Sequence, residues 1–190
     1  LFSQLFSTRG RKILGIGKNY LAHAIEMGGA AVPDKPLVFL KPLSSIVGEG
    51  IPLILPNTEV HHEIELGVMI GRGGKNISVE NAMGHVGGYF LALDMTAREL
   101  QAEAKTKGFP WSISKGMDHF CPISRFVPVD QVPDPHNLGL ELKINGLTVQ
   151  TGNTGEMHFK IPFLISFLSE FMTRDEGDVI LTGTPEGVLS

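Results

Sequence analysis

The sequence predicts a single α+β domain in which many short strands alternate irregularly with short helices. Three observations support this fold class: strand-sized apolar segments recur along the whole chain, the helical segments between them are brief, and no repeat or long linker divides the 190 residues. A composition of 42% hydrophobic and 19% charged residues is ordinary for a globular protein. We therefore expect one folded domain over residues 13–190, preceded by a separate segment at 1–12.

The first predicted elements are a strand, a helix and a second strand. Residues 13–16 are apolar and strand-sized, and residues 37–40 are similar. Between them, the side chain of Asn19 can cap a brief helix over residues 20–27, which the Gly28-Gly29 pair would end.

Residues 60–70 alternate between two sets of side chains, which is the period of a half-buried strand. Glu63 and Glu65 fall on one face, and an apolar set together with His62 falls on the other. This pattern predicts one half-buried strand over residues 60–70.

The remaining elements follow from local patterns and turn residues. Asn145-Gly146 is a strong signal for a two-residue hairpin turn, Gly108 can end a helix, and Pro162 is tolerated in the first turn of a helix. The predicted elements are a helix from Ser78 to Met83, a strand over 87–94, a helix over 96–107, a hairpin over 138–150, a helix over 161–172 and a strand over 179–182.

Glu63, Glu65 and Asp94 form a candidate metal site. The two glutamates share a strand face, and Asp94 ends the next apolar strand. Carboxylates that converge in a dry place repel one another unless a cation binds them, and oxygen ligands favour Mg²⁺ or Mn²⁺ over zinc. A solvated strand face explains the same spacing, so both interpretations stay open at this point.

His23 and Glu26 lie three residues apart on the predicted short helix, where a carboxylate can orient an imidazole. Such a pair can act as a general base that activates water. The same spacing also describes an ordinary surface pair of little energetic consequence.

Several cations lie beside glycine or proline, and each could bind a carboxylate or stabilise an oxyanion. Each could equally be a solvated charge. These residues are Lys18, Lys41, Arg98 and Lys115. The Thr182–Pro185 segment, at the end of the last predicted strand, could hold a carboxylate through its hydroxyl and N–H groups.

Composition restricts the partners and the compartment. A net charge of −4 gives no reason to expect nucleic acid or an anionic membrane as a partner, and no apolar stretch reaches the roughly 18–20 residues needed to span a bilayer. The single cysteine, Cys121, excludes an intrachain disulfide and is expected to pack in the core. Residues 1–12 are basic and lack acids, which fits either a mitochondrial presequence remnant or a frayed terminus; a cytosolic location stays open.

Taken together, the motifs resemble the fumarylacetoacetate hydrolase family, in particular its small acylpyruvase and oxaloacetate decarboxylase branch. The resemblance covers nearly the whole chain, and the stretch at 108–116 indicates the branch. The matching strings, in chain order, are GKNYLAH at 17–23, FLKP at 39–42, HHEIELGV at 61–68, LDMTARELQ at 93–101, GFPWSISKG at 108–116 and LTGTPEGV at 181–188.

This resemblance implies a β-sandwich roll with flanking helices that forms a homodimer. It implies that Glu63, Glu65 and Asp94 bind Mg²⁺ or Mn²⁺, and that His23 and Glu26 form a water-activating dyad on a lid. It further implies that Lys115 assists catalysis. The residues implied to bind the small keto-acid substrate are Lys18, Lys41, Arg98, Gln101 and Thr184.

The reaction implied by the resemblance is C–C cleavage of a 2,4-diketo acid to pyruvate and a carboxylic acid, with oxaloacetate decarboxylation as a related activity. It combines Lewis-acid chemistry from the metal with water activated by His23. An oxaloacetate keto–enol tautomerase and an inactive partner subunit are the alternatives.

The chain departs from the family pattern in two places. Lys18 stands where arginine is usual, which keeps the charge but loses bidentate carboxylate recognition. The family also continues beyond the last residues of this chain, so we expect the C-terminal part of the catalytic domain to be missing and a sheet edge to be left open.

Overall fold

The computed structural model describes residues 12–28 and 31–188. Apart from Lys12, the predicted N-terminal segment lies outside the described residues, as does Gly29. Within them the strands are β1 (Ile13–Gly17), β2 (Leu37–Lys41), β3 (Ile46–Gly48), β4 (Val60–His61), β5 (Ile64–Ile70), β6 (Val86–Leu93), β7 (Thr96–Ala97), β8 (Cys121–Ile123), β9 (Val127–Pro128), β10 (Gly139–Ile144), β11 (Leu147–Asn153) and β12 (Val179–Leu181). The α-helices are α1 (Leu21–Glu26), α2 (Val79–Ala82), α3 (Arg98–Lys107), α4 (Ser112–Lys115) and α5 (Ile161–Phe171).

One mixed sheet forms the centre of the molecule. Its strand order is β2-β1-β12-β5-β6-β8-β3, and β9 pairs with β6. The β1–β12 and β3–β8 pairs are parallel, whereas the other pairs in this sheet are antiparallel. Two small antiparallel sheets, β10–β11 and β4–β7, accompany it. This strand-rich arrangement with short helices confirms the predicted α+β class.

The central sheet buries apolar side chains on both of its faces. Leu164 and Leu168 of α5 pack with Val68 and neighbouring residues on one face, and Phe90 and Cys121 belong to a second cluster on the other. Burying one such side chain contributes roughly 1.5–3 kcal/mol. The two clusters therefore fix strands β5, β6 and β12, which position the site described below.

The prediction of one half-buried strand over residues 60–70 is wrong in two respects. The segment divides into β4 and β5 at His62 and Glu63, and every residue of β5 is buried. The face that alternation marked as polar is closed by packing, because a Cβ atom at Gly67 would lie 2.3 Å from the Phe90 ring. The two-residue alternation thus identified the strand, but it did not reveal that both faces of the strand are buried.

The predicted N-cap role of Asn19 is also wrong. Helix α1 begins at Leu21 with Tyr20 as its N-cap, and no side-chain hydrogen bond caps it. The buried Asn19 amide instead donates to the carbonyl oxygens of Phe159 and Thr182 and accepts from the N–H of Phe159. Asn19 therefore joins the β1–α1 corner to the end of β12 and to the segment before α5.

The turn predictions that depend on local chemistry agree with the structure. Asn145 and Gly146 have φ values of 51° and 82° and connect β10 to β11. Gly108 ends α3 with a φ of 70°, as predicted. That helix begins at Arg98 rather than at residue 96, because Thr96–Ala97 pairs with β4 instead.

Candidate active site

Glu63, Glu65 and Asp94 converge because of the register between two neighbouring strands. In the β5–β6 pair Ile64 lies opposite Leu93, and the N–H of Asp94 donates to the carbonyl oxygen of Glu63 at 2.8 Å. The two glutamates flank Ile64, so both point to the same side of the strand. One oxygen from each of the three buried carboxylates lies within 4.8 Å of the others.

Three cations neutralise part of this cluster. The Nζ of Lys115 lies 2.8 Å from Glu63 Oε2 and 2.5 Å from Asp94 Oδ2. Lys41 Nζ contacts Asp94 Oδ1 at 2.6 Å, and Arg98 Nη2 contacts Glu63 Oε1 at 2.7 Å. Glu63 and Asp94 are thereby each held between two cationic side chains.

Glu65 is held differently from the other two carboxylates. It has no ion pair with any residue that the structure describes, and its Oε2 accepts a hydrogen bond from the Gly183 N–H at 2.7 Å. Burial, followed by the charges of Asp94 and Glu63, raises the pKa of Glu65 well above its usual value. Burial also acts on Glu63, but the charges of Lys115 and Arg98 outweigh it and lower the pKa of Glu63.

This donor set fits a hard divalent cation. The three ligands are carboxylate oxygens that lie within 4.8 Å of one another, and Glu65 has no ion pair with a described residue. Oxygen ligands of this kind suit Mg²⁺ or Mn²⁺. The solvated strand face, which the sequence left open, is excluded because all three side chains are buried.

His23 and Glu26 form a hydrogen-bonded pair at the wall of the same cavity. His23 Nδ1 lies 3.0 Å from Glu26 Oε2, while Glu26 Oε1 accepts from the N–H of Gly187 at 2.9 Å. A carboxylate beside Nδ1 favours the proton on that nitrogen, which leaves Nε2 of a neutral imidazole as the acceptor. The pair therefore differs from a solvated surface pair, because His23 is buried.

The structure brings nine of the eleven predicted site residues to one cavity. Glu26 and Lys41 do not line it: Glu26 lies behind His23, and Lys41 is buried behind Asp94, where it also donates to the carbonyl oxygen of Met95. The nine lining residues are Lys18, His23, Glu63, Glu65, Asp94, Arg98, Gln101, Lys115 and Thr184. Lys41 thus contacts the Asp94 carboxylate, whereas the sequence predicted contact with the substrate.

Gln150 supports the site from outside and carried no sequence signal. Its Oε1 accepts from the N–H of Ile64, and its Nε2 donates to Thr184 Oγ1 at 2.9 Å and to the carbonyl oxygen of Pro185. Thr184 Oγ1 in turn donates to the carbonyl oxygen of Ile64 at 2.8 Å. The buried amide on β11 therefore fixes the Thr184 segment against the start of β5.

Lys105 and Trp111 also line the cavity and are not among the predicted site residues. Lys105 follows Arg98 and Gln101 by seven and four residues, so helical spacing places all three on one face of α3. That spacing could have identified Lys105. Arg98 itself donates to Gln101 Oε1 at 2.7 Å and to His61 Nδ1 at 3.1 Å.

Comparison with known proteins places the chain among enzymes of related architecture. Residues 12–190 match the family model described as Fumarylacetoacetate (FAA) hydrolase C-terminal. The solved fumarylpyruvate hydrolase of Pseudomonas aeruginosa, in complex with Mn²⁺ and pyruvate, is 37% identical with a TM-score of 0.89. That alignment covers 94% of this chain and 79% of the other.

Two curated relatives are similar over almost the whole sequence. Oxaloacetate tautomerase FAHD1, mitochondrial, of Arabidopsis thaliana is 52% identical over 95% of this chain and 81% of its own length. Oxaloacetate decarboxylase, mitochondrial, of Dictyostelium discoideum is 48% identical over 96% of this chain and 85% of its own length. Their names support the predicted mitochondrial localisation and confirm that the chain is an enzyme.

The expected partners are not tested by these findings, and the homodimer stays a prediction. Within the described ranges, no helix combines the length and the apolar character needed to cross a membrane.

The family model extends over nearly all of the chain, and the relatives, the fold and the convergent carboxylates agree with it. The chain therefore belongs to the fumarylacetoacetate hydrolase family.

Proposed function

We propose that this enzyme cleaves the C–C bond between C3 and C4 of small 2-keto acids, as an acylpyruvate hydrolase with oxaloacetate decarboxylase activity. The observation that carries the proposal is that a carboxylate triad and His23 line one cavity, with Glu26 hydrogen-bonded to His23 from behind. The triad alone would support any divalent-metal enzyme of the family. The added base supports a reaction in which water is activated.

Glu63, Glu65 and Asp94 would hold Mg²⁺ or Mn²⁺, as the oxygen-only donor set favours. When bound, the metal would supply Lewis-acid polarisation of the 2-keto and carboxylate oxygens of the substrate. A related structure that contains Mn²⁺ and pyruvate supports this assignment.

The side chains of the cavity would supply proton transfer and charge stabilisation. His23 would take a proton from water through Nε2, while Glu26 holds the imidazole in the required tautomer. Lys115 and Arg98 would offset the negative charge that develops on the keto oxygen, because both are already fixed beside the carboxylates.

In both cleavage reactions the electron pair of the broken C3–C4 bond stays on C3, which is then protonated. In an acylpyruvate, the oxygen of water bonds to C4, the C3–C4 bond breaks, and its electron pair passes to C3, which takes up a proton. The products are pyruvate and a carboxylic acid. In oxaloacetate the same bond breaks without water, CO₂ leaves, and C3 again takes up a proton to give pyruvate.

An oxaloacetate tautomerase is the second candidate, and the name of the Arabidopsis thaliana relative favours it. This reaction moves a proton between C3 and the keto oxygen and breaks no C–C bond. His23 could serve as the proton carrier, so the geometry is compatible with both activities.

The test is product analysis with purified protein. Acetylpyruvate and oxaloacetate are incubated with Mg²⁺, with Mn²⁺ or with EDTA, while pyruvate and the enol absorbance are followed separately. Metal-dependent formation of pyruvate from acetylpyruvate supports the hydrolase. Metal-dependent formation of pyruvate from oxaloacetate but not from acetylpyruvate supports the decarboxylase. Accelerated keto–enol interconversion without pyruvate would replace both with the tautomerase.

A further inference from the structure

We propose that Glu59 and His61 form a positioning pair for Arg98. In this pair, Glu59 selects the tautomer of His61, and His61 holds the Arg98 guanidinium in the orientation in which it lines the cavity. The inference rests on the proposed function, because it deepens the charge-stabilising role that Arg98 has there. Glu59 and His61 are not among the predicted site residues, and neither of them lines the cavity.

A small two-stranded sheet brings this pair to the start of helix α3. In the β4–β7 pair, His61 lies opposite Thr96. The N–H of Arg98, the first residue of α3, donates to the carbonyl oxygen of Glu59 at 3.0 Å. The segment that carries Glu59 and His61 therefore fixes the backbone from which the Arg98 side chain extends.

Side-chain contacts continue from this segment to the triad. His61 Nε2 lies 2.7 Å from Glu59 Oε1, and Arg98 Nε donates to His61 Nδ1 at 3.1 Å. Arg98 Nη2 in turn contacts Glu63 Oε1 at 2.7 Å. The exposed fraction of the side chain falls from 46% at Glu59 to 13% at His61 and 7% at Glu63. An exposed carboxylate is thus linked to a buried carboxylate of the triad through one imidazole and one guanidinium.

These contacts determine which nitrogen of His61 carries the proton. Arginine can only donate, so His61 Nδ1 must accept, and the proton of the neutral imidazole lies on Nε2. Glu59 accepts from that Nε2–H and favours this tautomer. The His23–Glu26 pair has the opposite arrangement, because its carboxylate lies beside Nδ1. One His–Glu pair therefore leaves an acceptor for a proton of water, and the other uses its acceptor to hold an arginine.

His61 completes the set of partners that orients the Arg98 guanidinium. Nη1 donates to Gln101 Oε1 and Nη2 donates to Glu63 Oε1, each at 2.7 Å, while Nε donates to His61. Contacts at all three nitrogens fix the guanidinium plane, and the remaining N–H groups have no partner among the described residues. Without His61, only the two Nη groups would be held, and the plane could turn about them.

The orientation of Arg98 matters for catalysis more than for binding. A donor that is fixed in advance stabilises a developing charge without reorganising. If Arg98 loses its Nε contact, its positive charge stays in the cavity and still attracts the substrate, but its N–H groups are no longer held in place. We therefore expect loss of the His61 contact to lower kcat and to leave KM nearly unchanged.

The test measures kcat and KM for oxaloacetate at saturating Mg²⁺ in two variants of His61. His61→Leu removes the acceptor, and kcat should fall about tenfold, less than the roughly 10²–10³-fold that follows complete loss of a stabilising donor. KM should stay within about twofold of the wild-type value, as expected for an interaction made in the transition state. His61→Asn supplies an oxygen acceptor near the position of Nδ1 and should recover most of kcat.

Thr58→Val is the matched control. Thr58 Oγ1 donates to Glu99 Oε2 at 3.0 Å, so this variant removes a contact between the same two segments without touching the Arg98 side chain. Its kcat should equal that of the wild type. The double variant of His61→Leu and Arg98→Leu should be no slower than Arg98→Leu alone, because a positioning residue acts only through the residue that it positions.

A further measurement does not depend on turnover. ¹⁵N NMR of histidine-labelled protein assigns the tautomer of His61. We expect the proton on Nε2 in the wild type and a mixture of tautomers in Glu59→Leu, which removes the carboxylate that selects Nε2.

The contrary results are distinguishable. A proton on Nδ1 of wild-type His61 would refute the proposal whatever the activity, and a normal kcat in His61→Leu would show that the pair is dispensable. Equal losses in His61→Leu and Thr58→Val, or no recovery in His61→Asn, would limit His61 to fastening β4 to α3. The Nε2 tautomer in a folded wild-type protein without metal-dependent turnover would reject the proposed function and retain the contact that holds Arg98.

Discussion

The cavity has a floor, formed by Glu63, Asp94 and Lys115, and a mouth, formed by Lys18 and Lys105. Both regions carry charged side chains, but only those of the floor are paired with one another. On the floor, Glu63, Asp94 and Lys115 are buried and joined by contacts of 2.5–2.8 Å. At the mouth, Lys105 is exposed as a whole residue and Lys18 is half-buried, and neither has an ion pair with a described residue. The floor is organised before the substrate arrives, whereas the mouth leaves its cations available to a ligand.

This difference separates the residues expected to act in catalysis from those expected to select the substrate. Charged groups that are fixed in advance stabilise a developing charge without reorganising, which favours catalysis. Unpaired cations at an entrance contribute mainly through the ligands that they attract and hold. We therefore expect floor substitutions to reduce turnover of every substrate, and mouth substitutions to change which substrates bind.

The largest expected effect is the loss of a triad carboxylate. Glu63→Gln should lower metal-dependent pyruvate formation by about 10³-fold or more, because it removes a charged ligand from the Lewis-acid site. Steady-state assays with saturating Mg²⁺ measure this, and circular dichroism verifies folding. Glu80→Gln, on the exposed surface of α2, is the control; unchanged turnover in Glu63→Gln would contradict the triad assignment.

Lys115→Met should test whether the floor is held by charge balance. Removing one partner from a buried ion pair costs about 3–5 kcal/mol, because the carboxylates lose their counter-charge. In EDTA the melting temperature should fall by roughly 6–20 °C. Added Mg²⁺ should stabilise the variant more than the wild type, since the cation replaces the lost charge.

Melting curves with and without Mg²⁺ provide the measurement for Lys115→Met. The exposed Lys107→Met serves as the reference, and we expect its melting temperature to match that of the wild type. Equal Mg²⁺ shifts in Lys115→Met and wild type would show that Lys115 does not balance the triad.

His23→Gln should distinguish the reactions that share the floor. Loss of a general base lowers rates by about 10²–10⁴-fold, so acetylpyruvate hydrolysis should fall by that factor. Oxaloacetate decarboxylation needs no activated water and should keep most of its rate. Parallel pyruvate assays on the two substrates decide this, and an equal loss in both would give His23 a different role.

The sequence predicted the elements whose signals are local. Asn145 and Gly146 have the turn chemistry of a hairpin, and the convergence of Glu65 with Asp94 follows from one antiparallel strand pair. The face of α3 that carries Lys105 could have been identified in the same way, from helical spacing, but it was not predicted. In these cases one turn, one helix or one strand pair determines the local structure.

Contacts between distant parts of the chain could not be predicted in the same way. Asn19 looks like a helix cap from its neighbours, but its partners lie 140 and 163 residues away. Gln150 reaches Ile64 from 86 residues away. The alternation at β5 was correct, yet burial of the polar face depends on Phe90 and on the cations that surround the triad. Tertiary packing overrides local preference at such positions.

Gln150→Leu should give a moderate effect at the edge of the floor. It leaves the Ile64 N–H without its buried partner, at a cost of about 1–3 kcal/mol, and frees Thr184 to move. Urea unfolding should show this loss of stability, together with a several-fold lower turnover. Gln131→Leu, at an exposed position, is the control; normal stability and turnover in Gln150→Leu would show that the bridge is dispensable.

The smallest expected effect is the pH dependence of substrate binding at the mouth. Partial burial, followed by the charges of Arg98 and Lys18, lowers the pKa of Lys105 to about 8, so this side chain is a cation below that pH and neutral above it. The KM for oxaloacetate, an anion in the cavity that Lys105 lines, should therefore rise severalfold between pH 7 and pH 9. Lys105→Met should show a high KM with no such rise, and a wild-type KM that is constant over this range would exclude Lys105 as the titrating contact.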